Sequence, residues 1–537
     1  MHTDESINGY IIGQLLAGEK YEYDPQDRHG PALAEITLPL VRLEGARNFA
    51  ELTEFQLRLA PVLAGSATIL LFGLASIWFG FLPCLFAALL FAFAPLTVYY
   101  SRYFIHETFF VAANFGLLLA LLGRRAKATV FWTGFCAAFM VACKETSPLH
   151  FFALGVASVA AHFLNPLPKT PGEMSARRFW LAASGVFVVA GILLFTWFGR
   201  DWQALADLVR AIPRFASRAG GEGHEKPFWY YFGLLNRTPA LLILSGIGAV
   251  LVAYKFTQRL DPARSFVLIY GLVLFGIYSA IPYKTPWLAL NLFLPLAFLA
   301  GFAVESIWRQ LTGWGRLVPT TAGTASKTIW EHSRFKLIAR LVFVGGLAAL
   351  GCLLHYDLKQ QVYHHAADET NPYAYAHTTE DVLGLPDEIA TLSQSRHLTA
   401  PRIAVVAIDA WPLPWYLRQF AHTGFWQPGQ DPGDADFIVT TTDVPANLAD
   451  RLKSWRADYY GVRPNVLLIL WTPPITASSP NPAPKTGAVV VPKTVRTTAF
   501  SPSPPLINGG EGRGEVAFSH FTKMAGSTSP PIALAHE

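Results

Sequence analysis

The chain has 537 residues, of which 52% are hydrophobic and 15% charged. Soluble domains carry about 25% charged residues, and here the shortfall is concentrated in apolar runs of about 20 residues, the length that crosses a bilayer, which excludes a soluble globular protein. The net charge of +5 is dispersed over a few loops rather than gathered into a stripe, so nothing in it points to nucleic acid.

Residues 1–56 are polar and punctuated by turns at Tyr23-Asp24-Pro25 and His29-Gly30-Pro31. Within them the spacing of Ile7, Ile11, Ile12, Leu15 and Leu16 predicts a helix, capped by Thr3 or Asp4 and lying at the membrane surface. Ten apolar spans follow, at about 57–79, 82–100, 108–122, 129–143, 148–164, 180–199, 238–254, 266–282, 286–304 and 338–355.

Basic residues occupy every second loop: Arg124, Arg125 and Lys127; Lys169, Arg177 and Arg178; Lys255, Arg259 and Arg264; and Arg309, Arg316, Lys327, Arg334 and Lys336. The excess of Lys and Arg in cytoplasmic loops orients these inward. The isolated polar motifs then share the exoplasmic side: residues 1–56, Ser101 to Glu107, Lys144 to Ser147, Arg200 to Arg237, Pro282 to Thr285 and the C-terminal portion. In the 200–237 loop, Leu208, Val209, Ile212 and Phe215 alternate with Arg210, Arg214 and Arg218 beside Phe228-Trp229-Tyr230-Tyr231, which suits the lipid headgroup boundary.

The pattern changes at 356–475. Arg402 to Ala407, Asp436 to Val439 and Asn465 to Leu470 read as strands, and Pro414 to Phe420 and Ala446 to Trp455 as helices, giving a small exoplasmic α/β domain with a largely parallel sheet. Residues 476–537 are rich in Pro and Ser, without periodicity, and are expected to be disordered. The fold class is mainly α, a polytopic helical membrane protein with a small C-terminal α/β domain.

Several groups could carry chemistry. His106-Glu107 invites a zinc-protease reading, but that helix needs a second histidine four residues after the first, and position 110 is Phe110. Cys84, Cys136, Cys143 and Cys352 all lie in apolar segments without metal-ligand spacing. The carboxylates of Asp4, Glu5 and Glu107 fall on one face and could act as base and orienting partner, or hold a divalent cation against a phosphate. For Asp4 the structural alternative is a helix cap, and for Glu107 an ion pair with Arg102 or His106. Lys144 and Lys284 are cations at exoplasmic span ends, where snorkelling is one explanation and a lipid-linked phosphate another. Tyr363-His364-His365 reads as solvent-facing, and the run Trp411 to Arg418 as packing on the membrane domain or a sugar chain.

The ordered set of His2-Thr3-Asp4-Glu5, Asp24-Pro25, His29-Gly30-Pro31, Tyr100-Ser101-Arg102-Tyr103, Glu107, Lys144-Glu145-Thr146, Tyr283-Lys284-Thr285-Pro286-Trp287, Asn371-Pro372-Tyr373 and Trp411 to Arg418 resembles the GT-C superfamily of polytopic membrane glycosyltransferases. That superfamily includes the dolichyl-phosphate-mannose protein mannosyltransferases, and the chain looks most like the branch of flippase-activity-associated glycosylation proteins. The resemblance implies transfer of a sugar from a polyprenyl-phosphate donor to a lipid-linked glycan, polysaccharide or protein on the exoplasmic face of a prokaryotic cytoplasmic membrane. It makes Asp4 the catalytic base or acceptor-orienting carboxylate, with Glu5 and Glu107 beside it. Arg102, His106, Lys144 and Lys284 would surround the donor phosphate, and Glu145, Tyr283 and His29 would complete the substrate site. Relatives carry a transmembrane helix just before the Asp-Glu pair, whereas here Met1 stands three residues before Asp4, so a misassigned start is expected. The alternatives are a non-catalytic transporter or flippase partner that binds the same carrier, and a scaffold for surface-polysaccharide assembly.

Overall fold

A computed structural model of the chain describes residues 1–25, 29–123, 125–164, 173–221, 224–257, 261–312, 327–375, 377–408 and 410–474. The tail 476–537, expected to be disordered, lies outside these residues, as do Arg124, Lys169, Arg259 and Arg316 of the basic loops. The chain forms two compact units, Met1–Thr378 and a second from Thr379 onward.

The first unit is helical. Helices α1 (Thr3–Leu16) and α2 (Ala32–Leu43) precede α3 (Glu54–Phe79), α4 (Phe81–Phe93), α5 (Pro95–Ser101), α6 (Glu107–Leu122), α7 (Lys127–Cys143), α8 (Ser147–Leu164) and α9 (Ala176–Phe195). Then come α10 (Gln203–Arg218), α11 (Tyr230–Leu235), α12 (Pro239–Thr257), α13 (Pro262–Ala280), α14 (Ala289–Thr312) and α15 (Lys327–Leu358). Among the described residues, five helical stretches are long and apolar enough to cross a membrane: α3, α9, α13, 286–312 and 335–364. The pair α4 and α5 meets the same standard as one span bent by 63°, and α6, α7, α8 and α12 are shorter apolar helices. These segments coincide with the ten expected runs, and the chain is an integral membrane protein.

Within the expected span 82–100 the helix bends. Pro95 has no N–H to continue the ladder and drives Ala94 into an extended conformation (ψ 134°), so α4 stops and α5 starts at a new angle. At the centre of the bundle, α14 has 89% of its apolar window buried, against 6% for α15. It packs against α4, α12 and α13. A Cβ on Gly301 would collide with the Pro83 carbonyl of α4, and one on Gly248 of α12 with the Leu299 carbonyl of α14. In lipid, where exclusion of water does not drive helices together, such backbone contact is what association rests on.

Helix α1 departs from expectation. Ile7, Ile11, Ile12 and Leu15 are buried within the protein, and α1 packs on α2 and on Phe49, which leaves no room for a side chain at Gly13. Its cap is neither Thr3 nor Asp4. The His2 ring accepts from the Asp4 N–H at 3.0 Å and the Glu5 carboxylate accepts from the His2 N–H at 3.0 Å, closing a capping box.

The second unit holds α16 (Gly384–Ser395), β1 (Arg402–Val406), α17 (Leu413–Tyr416), β2 (His422–Trp426), β3 (Phe437–Thr441), α18 (Ala446–Leu452), β4 (Arg456–Arg463) and β5 (Val466–Thr472). The sheet has five strands in the order β2-β1-β3-β5-β4. Strand β1 runs parallel to β2 and β3, while β5 runs antiparallel to β3 and β4. The sheet is therefore mixed rather than largely parallel, because the short Arg463-Pro464-Asn465 link folds β4 back on β5 as a hairpin. Trp411 and Trp415 of the Trp-Pro run are 1% exposed.

Candidate functional site

The loops that the charge pattern placed on one side converge in the first unit. Glu5, in the first turn of α1, is 1% exposed and accepts from Arg58 Nε and Nη2 of α3, each at 2.8 Å, and from the Phe104 backbone N–H at 3.0 Å. Burial acts to raise its pKa, but the Arg58 guanidinium and these hydrogen bonds outweigh that and hold the carboxyl well below the usual range. Glu5 thus ties α1 to α3 and to the 102–106 turn, and Asn8 reinforces the tie by donating to the Phe104 carbonyl at 3.2 Å.

Glu107, at the start of α6, accepts from Lys144 Nζ at 2.6 Å and from Asn291 of α14. Its partner is therefore neither Arg102 nor His106, and Lys144, read as snorkelling or as facing a lipid-linked phosphate, is matched by a buried carboxylate. Arg102 donates to the Val362 carbonyl at 3.3 Å and lies 4.6 Å over the Tyr363 ring. His106 is buried and donates through Nε2 to the Gly30 carbonyl at 3.1 Å, with its edge on the His29 ring. Burial holds its imidazole well below the ordinary value, and His29 and Lys144 push the same way. His29 pairs with Glu145 at 2.8 Å, with side chains 37% and 18% exposed.

Lys284 is buried, donating to the Lys226 carbonyl at 3.2 Å and to the Ile281 carbonyl. No carboxylate pairs with it among the described residues, and burial lowers its pKa. A two-stranded bridge pins this turn: Glu225 pairs with Tyr283, Lys226 N–H donates to the Pro282 carbonyl and Lys284 N–H to the His224 carbonyl, each at 3.1 Å.

Asp4 differs from the other two acids. Its side chain is 41% exposed, and its one close charged neighbour among the described residues is His2 Nδ1 at 3.8 Å. Around it stand groups that feel its charge: the His2 and His224 imidazoles and the Tyr103, Tyr283 and Tyr375 phenols. Trp287 and His377 pack into the same aromatic wall. Asp4 is thus the open carboxylate of the three, within electrostatic reach of aromatic and imidazole groups, whereas Glu5 and Glu107 are each held in an ion pair. A groove of about 550 Å³ between α3 and the α4–α5 elbow is lined by Arg58, Ile69, Phe91, Ser101 and Arg102 among others.

The carboxylates do not fit a divalent cation held between Asp4, Glu5 and Glu107. Glu5 is engaged by Arg58 and Glu107 by Lys144 and Asn291, and no group of three His, Cys, Asp or Glu able to hold a metal occurs among the described residues.

Sequence reasoning missed His224, Tyr375 and His377, which sit in loops without a motif, and gave no role to His2 of the His2-Thr3-Asp4-Glu5 run. It also missed a polar chain inside the bundle. Asn114 of α6 donates to the Tyr270 hydroxyl at 2.9 Å, which lies 2.9 Å from His150 Nδ1, and His150 Nε2 lies 2.7 Å from the Tyr278 hydroxyl. The signal was present: a histidine inside an apolar span is a functional flag by default.

No protein-family model matches the chain, and no curated protein matches it. Among solved structures, ArnT from Cupriavidus metallidurans bound to undecaprenyl phosphate aligns with a TM-score of 0.58 at 15% identity, covering 89% of this chain and 94% of that one. The apo state of the same protein gives 0.55 at 15%, covering 87% and 93%. The arabinofuranosyltransferase AftD from Mycobacteria gives 0.43 at 14%, covering 88% of this chain and 38% of that one. At these identities the likeness to ArnT is one of fold.

Proposed function

We propose that the protein is a membrane glycosyltransferase that moves a sugar from a polyprenyl-phosphate donor to a lipid-linked glycan, polysaccharide or protein acceptor on the exoplasmic face. The observation that carries this reading is the open Asp4 carboxylate at the point where the loops of a GT-C-like fold converge. The undecaprenyl phosphate bound to ArnT supports a polyprenyl-phosphate partner.

In this reading Asp4 is the base. The acceptor hydroxyl gives its proton to Asp4 as its oxygen bonds to the sugar C1, the bond from C1 to the phosphate oxygen breaks, and polyprenyl phosphate leaves with the electron pair. Lys284 and Arg102, whose described polar partners are carbonyls, supply positive charge to the leaving phosphate. The apolar groove below Arg102 takes the lipid chain. Glu5, Glu107 and Lys144 order the site, His106 fixes the turn at Gly30, and Tyr283 with the His29–Glu145 pair faces the acceptor.

The test is transfer by purified protein in liposomes from a polyprenyl-phosphate hexose to a panel of acceptors. Asp4→Asn should abolish transfer and leave carrier binding intact. Transfer by Asp4→Asn at the wild-type rate removes Asp4 as base. Carrier binding without transfer by the wild type, with every donor and acceptor, favours the non-catalytic flippase-associated alternative.

A further inference from the structure

Helix α10 carries a face that the other described residues do not cover. At about 100° per residue, Ala204, Leu208, Ala211 and Phe215 fall on one side and are buried or half-buried, so that side packs inward. Trp202, Ala206, Val209, Ile212 and Pro213 fall on the other and are exposed, Trp202 and Val209 by 64% and Ile212 by 63%. Arg210, Arg214 and Arg218 run along one flank between the two. Asp207 is the one acid of the helix and pairs with Arg210 at 2.8 Å, which leaves the flank net positive.

The preceding turn fixes α10 to the end of a membrane-crossing helix, α9, which stops at Phe195. The Thr196 carbonyl accepts from the Arg200 and Asp201 N–H groups at 2.8 and 2.9 Å, and the Thr196 hydroxyl accepts from the Gly199 N–H at 2.9 Å. Trp197 and Phe198 both take left-handed backbone (φ 50° and 58°), a costly conformation for bulky residues. Trp197 turns inward and stacks on Tyr21 with ring centroids 4.9 Å apart, and Phe198 is left 65% exposed. Beside this turn a groove of about 490 Å³ is lined by Leu38, Pro39, Arg42 and Leu43 of α2 with Trp197 and Phe198. Leu43, 83% exposed, carries the apolar surface on to α2, and Arg42 adds a cation. Glu35 lines the same groove, but burial raises its carboxyl to about 8, so at neutral pH it adds no negative charge.

We propose that α10, the turn before it and the outer end of α2 form one contact surface for anionic phospholipid of the surrounding bilayer. Helix α10 does not cross the membrane: at about 1.5 Å per residue it reaches about 24 Å, short of the roughly 30 Å hydrocarbon core, and it carries three arginines. It lies along the boundary instead. Phe198, Trp202, Val209, Ile212 and Leu43 enter the level between headgroups and acyl chains, where aromatic rings are favoured. Arg42, Arg210 and Arg214 meet the phosphates, to which a guanidinium can donate two hydrogen bonds at once. A bilayer suits this face better than a protein partner does, because the fixed turn holds the face at the end of a membrane span whether or not a partner is present. None of these residues belongs to the Asp4 site, so the surface stands whether or not the protein transfers a sugar.

The test places the photoreactive residue benzoylphenylalanine at position 209 or 43 of the full-length protein, in liposomes of phosphatidylcholine and phosphatidylglycerol in equal amounts, and identifies the adducts by mass spectrometry. Both positions should label phospholipid. At 209, phosphatidylglycerol should lead phosphatidylcholine by at least about fivefold, the effect of one arginine at an anionic surface. Arg210→Gln, at a side chain 63% exposed, should cut that lead about fivefold, and Arg210→Lys should keep it. Absence of a lipid adduct at either position, or an adduct to a second copy of the chain in its place, overturns the surface. Equal labelling by the two lipids overturns its preference for anionic headgroups.

Discussion

The Glu107–Lys144 pair permits a quantitative test. Glu107 is 1% exposed and Lys144 7%, their charged atoms are 2.6 Å apart, and Asn291 also donates to the carboxylate. Removing one partner strands the other charge away from water, at a cost of about 3–5 kcal/mol. At 1.36 kcal/mol per decade this is about two to four decades in the folding equilibrium. Replacing both partners removes the stranded charge as well, and such exchanges are often neutral. Lys144→Met and Glu107→Gln should therefore each lower the midpoint of SDS-induced unfolding sharply. The double variant should sit at least about 2 kcal/mol above the sum of the two losses, in the range of coupling seen for contacting residues. Additive losses would refute the claim that the two charges are held for each other. Transfer activity separates the roles further: a double variant that regains both stability and transfer makes Lys144 a positioning residue, whereas one that regains stability alone returns it to the donor phosphate.

Two further outcomes follow from the geometry. His2 and Glu5 both have folded pKa values below their unfolded ones, so each contributes stability that is complete above the unfolded value and lost as pH falls; loss begins near the unfolded imidazole value of about 6.5 for His2 and lower for Glu5. His2→Asn, which caps without titrating, should remove the upper part of that loss, and His2→Ala should cost about 0.5–2 kcal/mol at pH 8 and less as pH falls; a wild-type unfolding midpoint constant from pH 8 to 5 contradicts this. Gly301→Ala should destabilise by about 1–3 kcal/mol through its collision with the Pro83 carbonyl, and an unchanged midpoint would mean that α4 and α14 can separate freely.

The apolar runs were legible because hydrophobic length is a property of consecutive residues, and each of the ten expected runs became a helix or a bent pair of helices. The elbow at Ala94 was written as plainly, in Pro95, but an uninterrupted apolar count passes over it. Strand β4 was hidden because Arg456 to Arg463 mixes charged, small and aromatic residues without a period on an outer strand, with none of the continuous apolar character of β1. The site was legible as a set of loops and illegible as a set of pairs. Glu5 meets Arg58 across 53 residues and Glu107 meets Lys144 across 37, and local spacing carries no record of such partners. It nominated three carboxylates together, whereas packing left Asp4 open and enclosed the other two. His224 and Tyr375 stand 151 residues apart and become neighbours only when two loops meet.

The burial of α14 has a consequence for how the protein is made. Its neighbours α4, α6, α12 and α13 all precede it in the chain. A ribosome that has delivered everything up to Ala280 has therefore placed a ring of helices in the membrane around a slot that nothing yet fills. The Asn291 amide that completes the Glu107–Lys144 pair has not yet been synthesised at that stage. Closure must wait for the last turn of α14, so the nascent chain spends the synthesis of that helix with polar side chains and close-packing glycines turned toward lipid.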